Sequence, residues 1–272
     1  MFKDVTIGQY IPGNSVLHKM HPPFKIILVL AYIVVLFMIS KWTSYGIFTL
    51  FTAALVLLSK INLRIILKGI KPMLWIIVFT AVINIFMTPG EAVWTIPIWR
   101  FSLNITREGL TMGAAMTIRL VYLVIGTSLL TLTTSPLQLT DGIEKLLNPL
   151  RVIKVPAHEI AMMMTIAIRF IPTLAEETDK IIKAQTARGA DFESGNLVRR
   201  AKAMVPILVP LFISAFRRAD ELATAMEARC YRGGNGRTRM KETHLSRIDA
   251  AAGTVFVLCS ALVLIAEYMI KF

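Results

Sequence analysis

Cysteine is almost absent from this chain of 272 residues, in which Cys230 and Cys259 are the only two. A pair so widely separated does not provide a disulfide framework. Motifs for catalysis are missing as well. The phosphate-binding pattern G-x-x-x-x-G-K-S/T does not occur, and His158-Glu159 is followed by Met162 where a zinc protease has its second histidine. No G-x-S-x-G pattern and no cysteine–histidine metal spacing appears either. We therefore expect no enzyme active site and no metal site in this sequence.

Charged residues are also scarce, at 17% of the chain, whereas 55% is hydrophobic and the mean hydropathy is +0.63. This composition is typical of an integral membrane protein, with the lipid bilayer as its surroundings. The net charge of +13 lies in short segments between apolar runs, which indicates positive-inside topology and disfavours nucleic acid as a partner. Acidic groups at mid-membrane depth are nearly absent, since Glu267 lies near the end of the last run. A secondary transporter would need more polar groups there.

Five apolar runs predict five transmembrane helices. The runs cover residues 24–40, 45–58, 73–87, 108–133 and 250–270. The second run is short for a span, which takes about 20 residues, so it must either lie nearly upright or be extended by its flanks. The aromatic segment 91–104 is predicted to be an interfacial loop. Basic residues concentrate at 60–71 and 145–247, so these segments and the N-terminus are expected on the cytoplasmic side, with the C-terminus outside.

Residues 135–247 are too polar to cross a membrane repeatedly. They predict a short helix at 141–150, a long helix at 157–190 with a kink at Pro172, and a second long helix at 196–231. The predicted fold class is therefore an all-α integral membrane protein with about five transmembrane helices and long helices on the cytoplasmic side. Its predicted segments are transmembrane helices one to four (1–134), the cytoplasmic helical domain (135–247) and a final transmembrane helix (248–272).

The second long helix carries an apolar stripe with alternating steps of three and four. This a/d pattern predicts lengthwise packing against the other long helix, with small residues permitting close approach near the end. The stripe residues are Val209, Phe212, Phe216, Ala219 and Ala223.

The most specific pattern is a motif that occurs twice, each time at the end of a predicted long helix. Residues 184–189 read Ala-Gln-Thr-Ala-Arg-Gly, and residues 225–230 read Ala-Met-Glu-Ala-Arg-Cys. A basic residue at a helix C-terminus is favourable by about 0.3–1 kcal/mol, which could explain either arginine alone. The repetition favours binding, because a guanidinium suits carboxylate or carbonyl groups in a partner's groove and small neighbours fit a narrow cleft. The candidate docking residues are Ala187, Arg188, Gly189, Ala228, Arg229 and Cys230.

Other residues leave two interpretations open. Arg119 lies within an apolar run and is expected to have a partner inside the bundle, whereas Arg169 could equally extend to lipid headgroups. Met162, Met163 and Met164 could form a core or lipid-facing surface, or an adaptable surface that binds several partners. Gly109 and Gly113 form a small-xxx-small pair, which predicts close helix packing.

Several segments together resemble the T component of energy-coupling factor transporters, the transmembrane scaffold of a class of ATP-driven vitamin importers. The resemblance covers essentially the whole chain and is strongest in the two arginine motifs. The chain departs from the family pattern at His21-Pro22-Pro23, where the family has Asp-Pro-Arg, and at Cys230, where it has glycine. The matching segments are 15–25, 133–136, 142–150, 169–172, 184–189 and 225–238.

The resemblance implies a scaffold in a prokaryotic cell membrane rather than an enzyme. It implies that Arg188 and Arg229 dock into grooves of two ABC-type ATPase subunits, which bind the ATP and magnesium, so that this chain holds no cofactor. It also implies that the long helices contact a small substrate-binding membrane protein, the S component. Residues 233–238 resemble the type shared among several interchangeable S components.

Two other functions compete with this interpretation. A permease subunit of a conventional ABC importer would have its own translocation path and usually one cytoplasmic coupling loop rather than two arginine-ended helices. A membrane-embedded enzyme would need a catalytic cluster, and the sequence has none. The copurification of ATPase subunits would distinguish a transporter from an enzyme.

Overall fold

The computed structural model describes residues 10–98, 101–192, 196–233 and 245–269. Contacts within the described chain separate two units. The bundle unit holds residues 10–142 and 245–269, and the hairpin unit holds residues 143–192 and 196–233. Helices dominate both units, which confirms the predicted all-α membrane fold.

The bundle unit consists of apolar helices and one small antiparallel sheet. Its elements are α1 (Val16–Lys19), α2 (Pro22–Met38), α3 (Trp42–Ser59), α4 (Leu63–Ile70), α5 (Leu74–Met87), β1 (Ala92–Ile98), β2 (Phe101–Thr106), α6 (Arg107–Thr133), most of α7 (Pro136–Leu147) and α10 (Arg247–Met269). The hairpin unit contains a 3₁₀ helix (Asn148–Ile153), α8 (Ala157–Ala187) and α9 (Leu197–Ala228).

Each of the five predicted spans corresponds to an apolar helix of the bundle unit. Among the described residues, four helical stretches are long and apolar enough to cross a membrane: Trp42–Ser59, Leu63–Met87, Arg107–Thr133 and Arg247–Met269. The helix α2 is shorter, at 17 residues. The flanks extend the second span, which was one of the two predicted alternatives, because α3 begins at Trp42 and ends at Ser59. The basic segment 60–71 differs from expectation, because α4 and a short 3₁₀ turn join it to α5 in one helical stretch.

The segment 91–104 was expected to be an interfacial loop. The loop conformation is wrong, and the interfacial position stays a prediction. Strands β1 and β2 form an antiparallel hairpin in which Thr95 pairs with Asn104 and Ile98 pairs with Phe101. The segment is rich in β-branched and aromatic residues, which favour a strand over an irregular loop. Aromatic residues are enriched both at membrane interfaces and in strands, and the prediction used only the first of these tendencies.

The centre of the bundle unit is a cluster around α2. Leu36 and Tyr32 of α2 are buried against Phe48 of α3 and Val263 of α10. The Tyr32 hydroxyl lies 3.0 Å from Thr52 Oγ1 and donates to the Tyr122 carbonyl at 3.3 Å. Because these polar groups satisfy each other, the aromatic core contains no unpaired hydroxyl at Tyr32.

Close packing of α5 against α6 depends on two glycines. A Cβ atom at Gly109 would lie 2.8 Å from the Ile85 carbonyl oxygen, and one at Gly113 would lie 3.3 Å from the Ala81 carbonyl oxygen. A side chain at Gly109 would therefore push the helices apart. The small-xxx-small prediction is confirmed.

Three helix ends meet at one end of the bundle unit. The buried Lys25 ammonium on α2 donates to the Thr133 carbonyl (3.2 Å) and to Thr134 Oγ1 (2.8 Å), at the end of α6. Asp249, in the first turn of α10, accepts from the backbone N–H groups of His21 (2.8 Å) and Ser246 (2.7 Å). These contacts join the points where the chain leaves the bundle after α6 and returns to it before α10.

The hairpin unit is built from α8 and α9 running antiparallel. Gln185, near the end of α8, contacts Pro206 near the start of α9. Further along, Arg218 Nη2 donates to Glu177 Oε2 at 2.9 Å. Later positions of α9 therefore meet earlier positions of α8, and the two helices lie side by side. Pro172 lies within α8 without ending it.

The predicted stripe does not form the contact between α8 and α9. Val209, Phe212 and Phe216 are 51%, 65% and 58% exposed, and Ala219 and Ala223 are exposed as well. Ile207 is instead buried at 6% exposure. The covered positions of α9 follow steps of three and four on another face: Ala203, Ile207, Leu211, Ser214, Arg218, Leu222 and Met226. Apolar residues occur on both faces, so periodicity did not identify the one that packs.

Candidate functional site

The α8 helix ends in a Schellman motif centred on Arg188. The Gly189 N–H donates to the Thr186 carbonyl at 2.9 Å, and the Ala190 N–H donates to the Gln185 carbonyl at 3.0 Å. Gly189 adopts a left-handed conformation with φ of 87°. This pair of bonds satisfies carbonyls at the helix end that have no partner within the helix. Arg188 is thus fixed as the C-cap residue of the helix, with its side chain exposed.

The α9 helix ends in the same motif, centred on Arg229. The Cys230 N–H donates to the Glu227 carbonyl at 2.9 Å, and the Tyr231 N–H donates to the Met226 carbonyl at 3.0 Å. Cys230 has φ of 57°, so it occupies the left-handed position that Gly189 occupies in α8. The cysteine at this position therefore does not alter the helix end. The repeated sequence encodes a repeated backbone structure.

The two arginine ends lie far apart within the hairpin unit. A cleft of about 530 Å³ is lined by Arg229 together with Met162 and Ile166 from the first turns of α8. Arg188 lies at the other end of α8. The stretch from Met162 to Arg188 is about 40 Å long at 1.5 Å per residue. One compact partner site could not hold both guanidinium groups, so the two ends are separate surfaces within the hairpin unit.

The three methionines do not share one environment. Met162 is partly covered and lines the cleft beside Arg229 and Cys230. Met163 and Met164 are 58% and 38% exposed. The structure thus brings Met162 together with one predicted docking motif and leaves its two neighbours at the surface. Exposed methionines of this kind can repack against differently shaped partners.

Sequence reasoning missed a contact between the first arginine motif and α9. Pro210 has no N–H, so the Pro206 carbonyl lacks its usual donor four residues later. The Gln185 side-chain amide donates to this carbonyl at 3.4 Å. The Pro-x-x-x-Pro spacing in the sequence signals such an unpaired carbonyl, although it does not identify the residue that would donate to it.

Arg119 has the interior partner that was predicted. Its Nη2 atom donates to the Ile39 carbonyl at 2.6 Å, and its guanidinium lies 5.7 Å from the centre of the Phe37 ring. Ile39 is the C-cap of α2, where carbonyls have no donor within the helix. The arginine therefore ties α6 to the end of α2. Arg169 is exposed, and both of its predicted environments stay open.

These features define a class of protein: an all-α membrane component, with no nucleotide-binding loop in its sequence, that carries two equivalent arginine-bearing helix ends. A family model described as cobalt transport protein matches residues 13–241. The chain is also similar to curated proteins named energy-coupling factor transporter transmembrane protein EcfT. It is 57% identical to that of Ruminiclostridium cellulolyticum, over 99% of both chains.

Two further relatives with this name come from Clostridium kluyveri, at 61% identity over 93% of both chains, and Bacillus subtilis, at 44% identity over 96% of this chain and 98% of the relative. The chain therefore belongs to the EcfT family of energy-coupling factor transporter transmembrane proteins. It is a membrane transport component, and this assignment is favoured over the permease subunit of a conventional ABC importer.

Proposed function

We propose that this chain couples two ABC-type ATPase subunits to a small substrate-binding membrane protein, the S component, in an importer of vitamins or similar micronutrients. The observation that carries the proposal is the duplicated helix end, in which Arg188 and Arg229 occupy the same position of the same backbone motif. Two copies of one docking element suit two copies of one kind of partner. ATP and magnesium belong to those partners, and this chain holds no cofactor.

Each arginine is suited to a partner groove that contains carboxylate or carbonyl oxygens. The guanidinium is exposed at the tip of a helix, and its neighbours Ala187, Gly189, Ala228 and Cys230 are small. A charged pair that is desolvated on docking contributes mainly to the dissociation rate, and loss of one member leaves the other charge unpaired. ATP-driven movement of the two ATPases would then pull on α8 and α9 at opposite ends.

The exposed face of α9 is the surface that we assign to the S component. Val209, Phe212 and Phe216 are more than half exposed on one side of the helix, and the ring centroids of Phe212 and Phe216 are 4.8 Å apart. Ala219 and Ala223 continue this side with small residues. Large exposed apolar surfaces mark interaction sites or lipid contact. Adaptable residues such as Met163 and Met164 would let several S components share the scaffold.

We place the N-terminus and the hairpin unit on the cytoplasmic side of a prokaryotic cell membrane. Within the bundle unit, the core cluster of Val56, Ile66, Leu129 and Leu132 brings the basic start of α4 to the end of the bundle where α6 ends. Positive residues favour the cytoplasmic side. The division of the chain into segments 1–134, 135–247 and 248–272 stays a prediction.

The test is charge reversal at both arginines in the complete transporter. The Arg188→Glu/Arg229→Glu double variant should lose its copurifying ATPases and its substrate uptake. Loss of one charge from a desolvated pair weakens binding by a few kcal/mol, and this loss occurs at both ends. Arg217→Glu is the matched control, since Arg217 is an exposed arginine within α9 rather than at its end. A double variant that still assembles with its ATPases and transports normally would contradict the proposed docking.

A further inference from the structure

The bundle unit contains an apolar cavity that the proposed coupling function does not use. Its volume is about 370 Å³, and α1, α2, α3, α6 and α10 all contribute to its wall. Representative lining residues are Met20, Val29, Leu55, Leu129, Ala252 and Val255. An unfilled space of this kind deprives its lining atoms of dispersion contacts, so an occupant would stabilise the bundle.

Water is a poor occupant of this cavity. Of the lining residues that the structure describes, Lys25 and Tyr32 are the two with polar side-chain groups. The Lys25 ammonium already donates to Thr133 and Thr134, and the Tyr32 hydroxyl is bonded to Thr52 and Tyr122. A buried water needs two to four polar partners, and these two groups are already engaged. The occupant must therefore be apolar.

The cavity lies at one end of the membrane-spanning helices. Its wall runs from Lys25 to Tyr32 on α2 and from Ile248 to Phe256 on α10, which is roughly 10–12 Å along each helix. This is the end of the bundle where Lys25 contacts the end of α6 and Asp249 joins α10 to His21. In a bilayer, this depth below the surface is occupied by lipid acyl chains.

Three basic residues are close in sequence to residues that line the cavity at this end. Lys19, Lys60 and Arg247 are all exposed, and each lies within two positions of a lining residue, respectively Met20, Leu58 and Ile248. Asp249, two residues after Arg247 on α10, is buried and accepts two backbone hydrogen bonds. The exposed charge next to these lining residues is thus positive, which favours an anionic headgroup.

From the apolar wall and these basic residues, we infer that this cavity binds one acyl chain of an anionic phospholipid, with the lipid phosphate near Lys19, Lys60 and Arg247. The lipid would pack between α1, α3, α6 and α10 at the points where the chain leaves and re-enters the bundle. This site does not depend on the proposed arginine docking. A lipid bound there would be a structural component of the bundle rather than part of the bulk bilayer.

The experiment uses photo-crosslinking in the assembled transporter and in the full chain alone, both reconstituted into bilayers. One probe is phosphatidylglycerol with a diazirine in its acyl chain, and the other is phosphatidylcholine with the same chain. Peptide mapping should place the phosphatidylglycerol label on residues 51–58 of α3 and 248–256 of α10. The preference over phosphatidylcholine should fall about fivefold for each of Lys19→Gln and Arg247→Gln, since each basic residue near the surface contributes about 1 kcal/mol.

A cavity-filling variant tests the site itself. Ala252→Phe places a ring in the cavity and should abolish the mapped label, whereas Leu262→Phe, at a 53% exposed position of the same helix, should leave it unchanged. If Ala252→Phe does not fold, competition by excess unlabelled phosphatidylglycerol in the unaltered protein serves instead, and it should remove the label.

Three results would overturn the assignment. Equal labelling by the two lipids would show that the basic residues select no headgroup. Label that survives both cavity filling and competition would place the probe elsewhere. Label that is present in the chain alone but lost in the assembled transporter would show that a partner helix, not a lipid, occupies the cavity.

Discussion

Gly189 and Cys230 hold the same left-handed conformation, with φ of 87° and 57°, one residue after the arginine that ends each long helix. Both N–H groups donate to the carbonyl three residues earlier, at 2.9 Å in each case. The two arginine ends are therefore duplicates in backbone structure although their sequences differ at this position. A residue with a Cβ atom in this conformation costs about 1 kcal/mol relative to glycine.

The first prediction concerns this position. Cys230→Gly should raise stability by about 1 kcal/mol, because it removes the conformational cost at the end of α9. Gly189→Ala should lower stability by a similar amount through backbone strain alone, since no atom lies within 4 Å of the place that the added methyl group would occupy. Thermal unfolding of the purified protein measures both. Cys230→Ser is the control, because it removes the thiol but keeps the strained backbone, and it should match the unaltered protein.

The repeated arginine motif and the five spans could be predicted from sequence because both depend on local information. Long apolar runs and a helix-ending arginine with a small residue after it are visible without knowledge of the fold. The packing face of α9 could not be predicted in the same way. Phe212 and Ile207 are equally apolar, and only the position of α8 determines that Ile207 is buried at 6% exposure while Phe212 is 65% exposed.

The second prediction separates these two faces of α9. Ile207→Ala should lower stability by about 2–5 kcal/mol, because it opens a cavity between α8 and α9. Phe212→Ala should leave thermal stability nearly unchanged but weaken copurification of the S component. Ala223→Phe should not wedge α8 and α9 apart, since Ala223 is exposed on the other face. If Phe212→Ala greatly lowered stability and Ile207→Ala had no effect, the stripe that contains Phe212 would be the face of α9 that packs against α8.

The third prediction concerns Gln185 and the Pro206 carbonyl. Gln185→Leu should destabilise the hairpin unit by about 0.5–1.5 kcal/mol, the usual net contribution of one hydrogen bond. Pro210→Ala restores a backbone N–H that can donate to the same carbonyl, so Gln185→Leu should cost much less in that background. A double-mutant cycle on thermal unfolding measures the coupling. Equal costs of Gln185→Leu in both backgrounds would mean that Gln185 stabilises the hairpin in some other way.

Only half of the Gln185–Pro206 contact could be predicted from the sequence. The sequence alone predicts an unpaired carbonyl at Pro206, because Pro210 has no backbone N–H to donate to it. The donor comes from a different helix, and it is near only because α8 and α9 run antiparallel. Arg119 is a similar case. Its position within an apolar run predicted a partner, whereas the partner itself, the carbonyl at the end of α2, required the structure.

The fourth prediction concerns membrane orientation. In a Cys259→Ser variant, the exposed Cys230 remains the single cysteine. In vesicles that contain the chain without its ATPases, a membrane-impermeant maleimide should label it when the vesicles are inside-out and not in intact cells, because the hairpin unit is expected in the cytoplasm. The matched control is Glu91→Cys in a background without Cys230 and Cys259. Glu91 follows α5, so its label should appear in intact cells, and the reverse pattern would invert the proposed topology.

The last prediction concerns the independence of the two arginine ends. Because about 40 Å of helix separates them, changes at the two ends should add without coupling, as expected for sites more than 7–10 Å apart. Arg188→Glu alone should reduce the ATPase content of the complex from two subunits to one, and Arg229→Glu alone should do the same by removing the other subunit. Native mass spectrometry of the purified transporter counts the subunits directly. With two different ATPases, each single variant should lose a different one. If either single change released both ATPases together, the partners would bind as one preassembled unit, and the two helix ends would not be separate docking points.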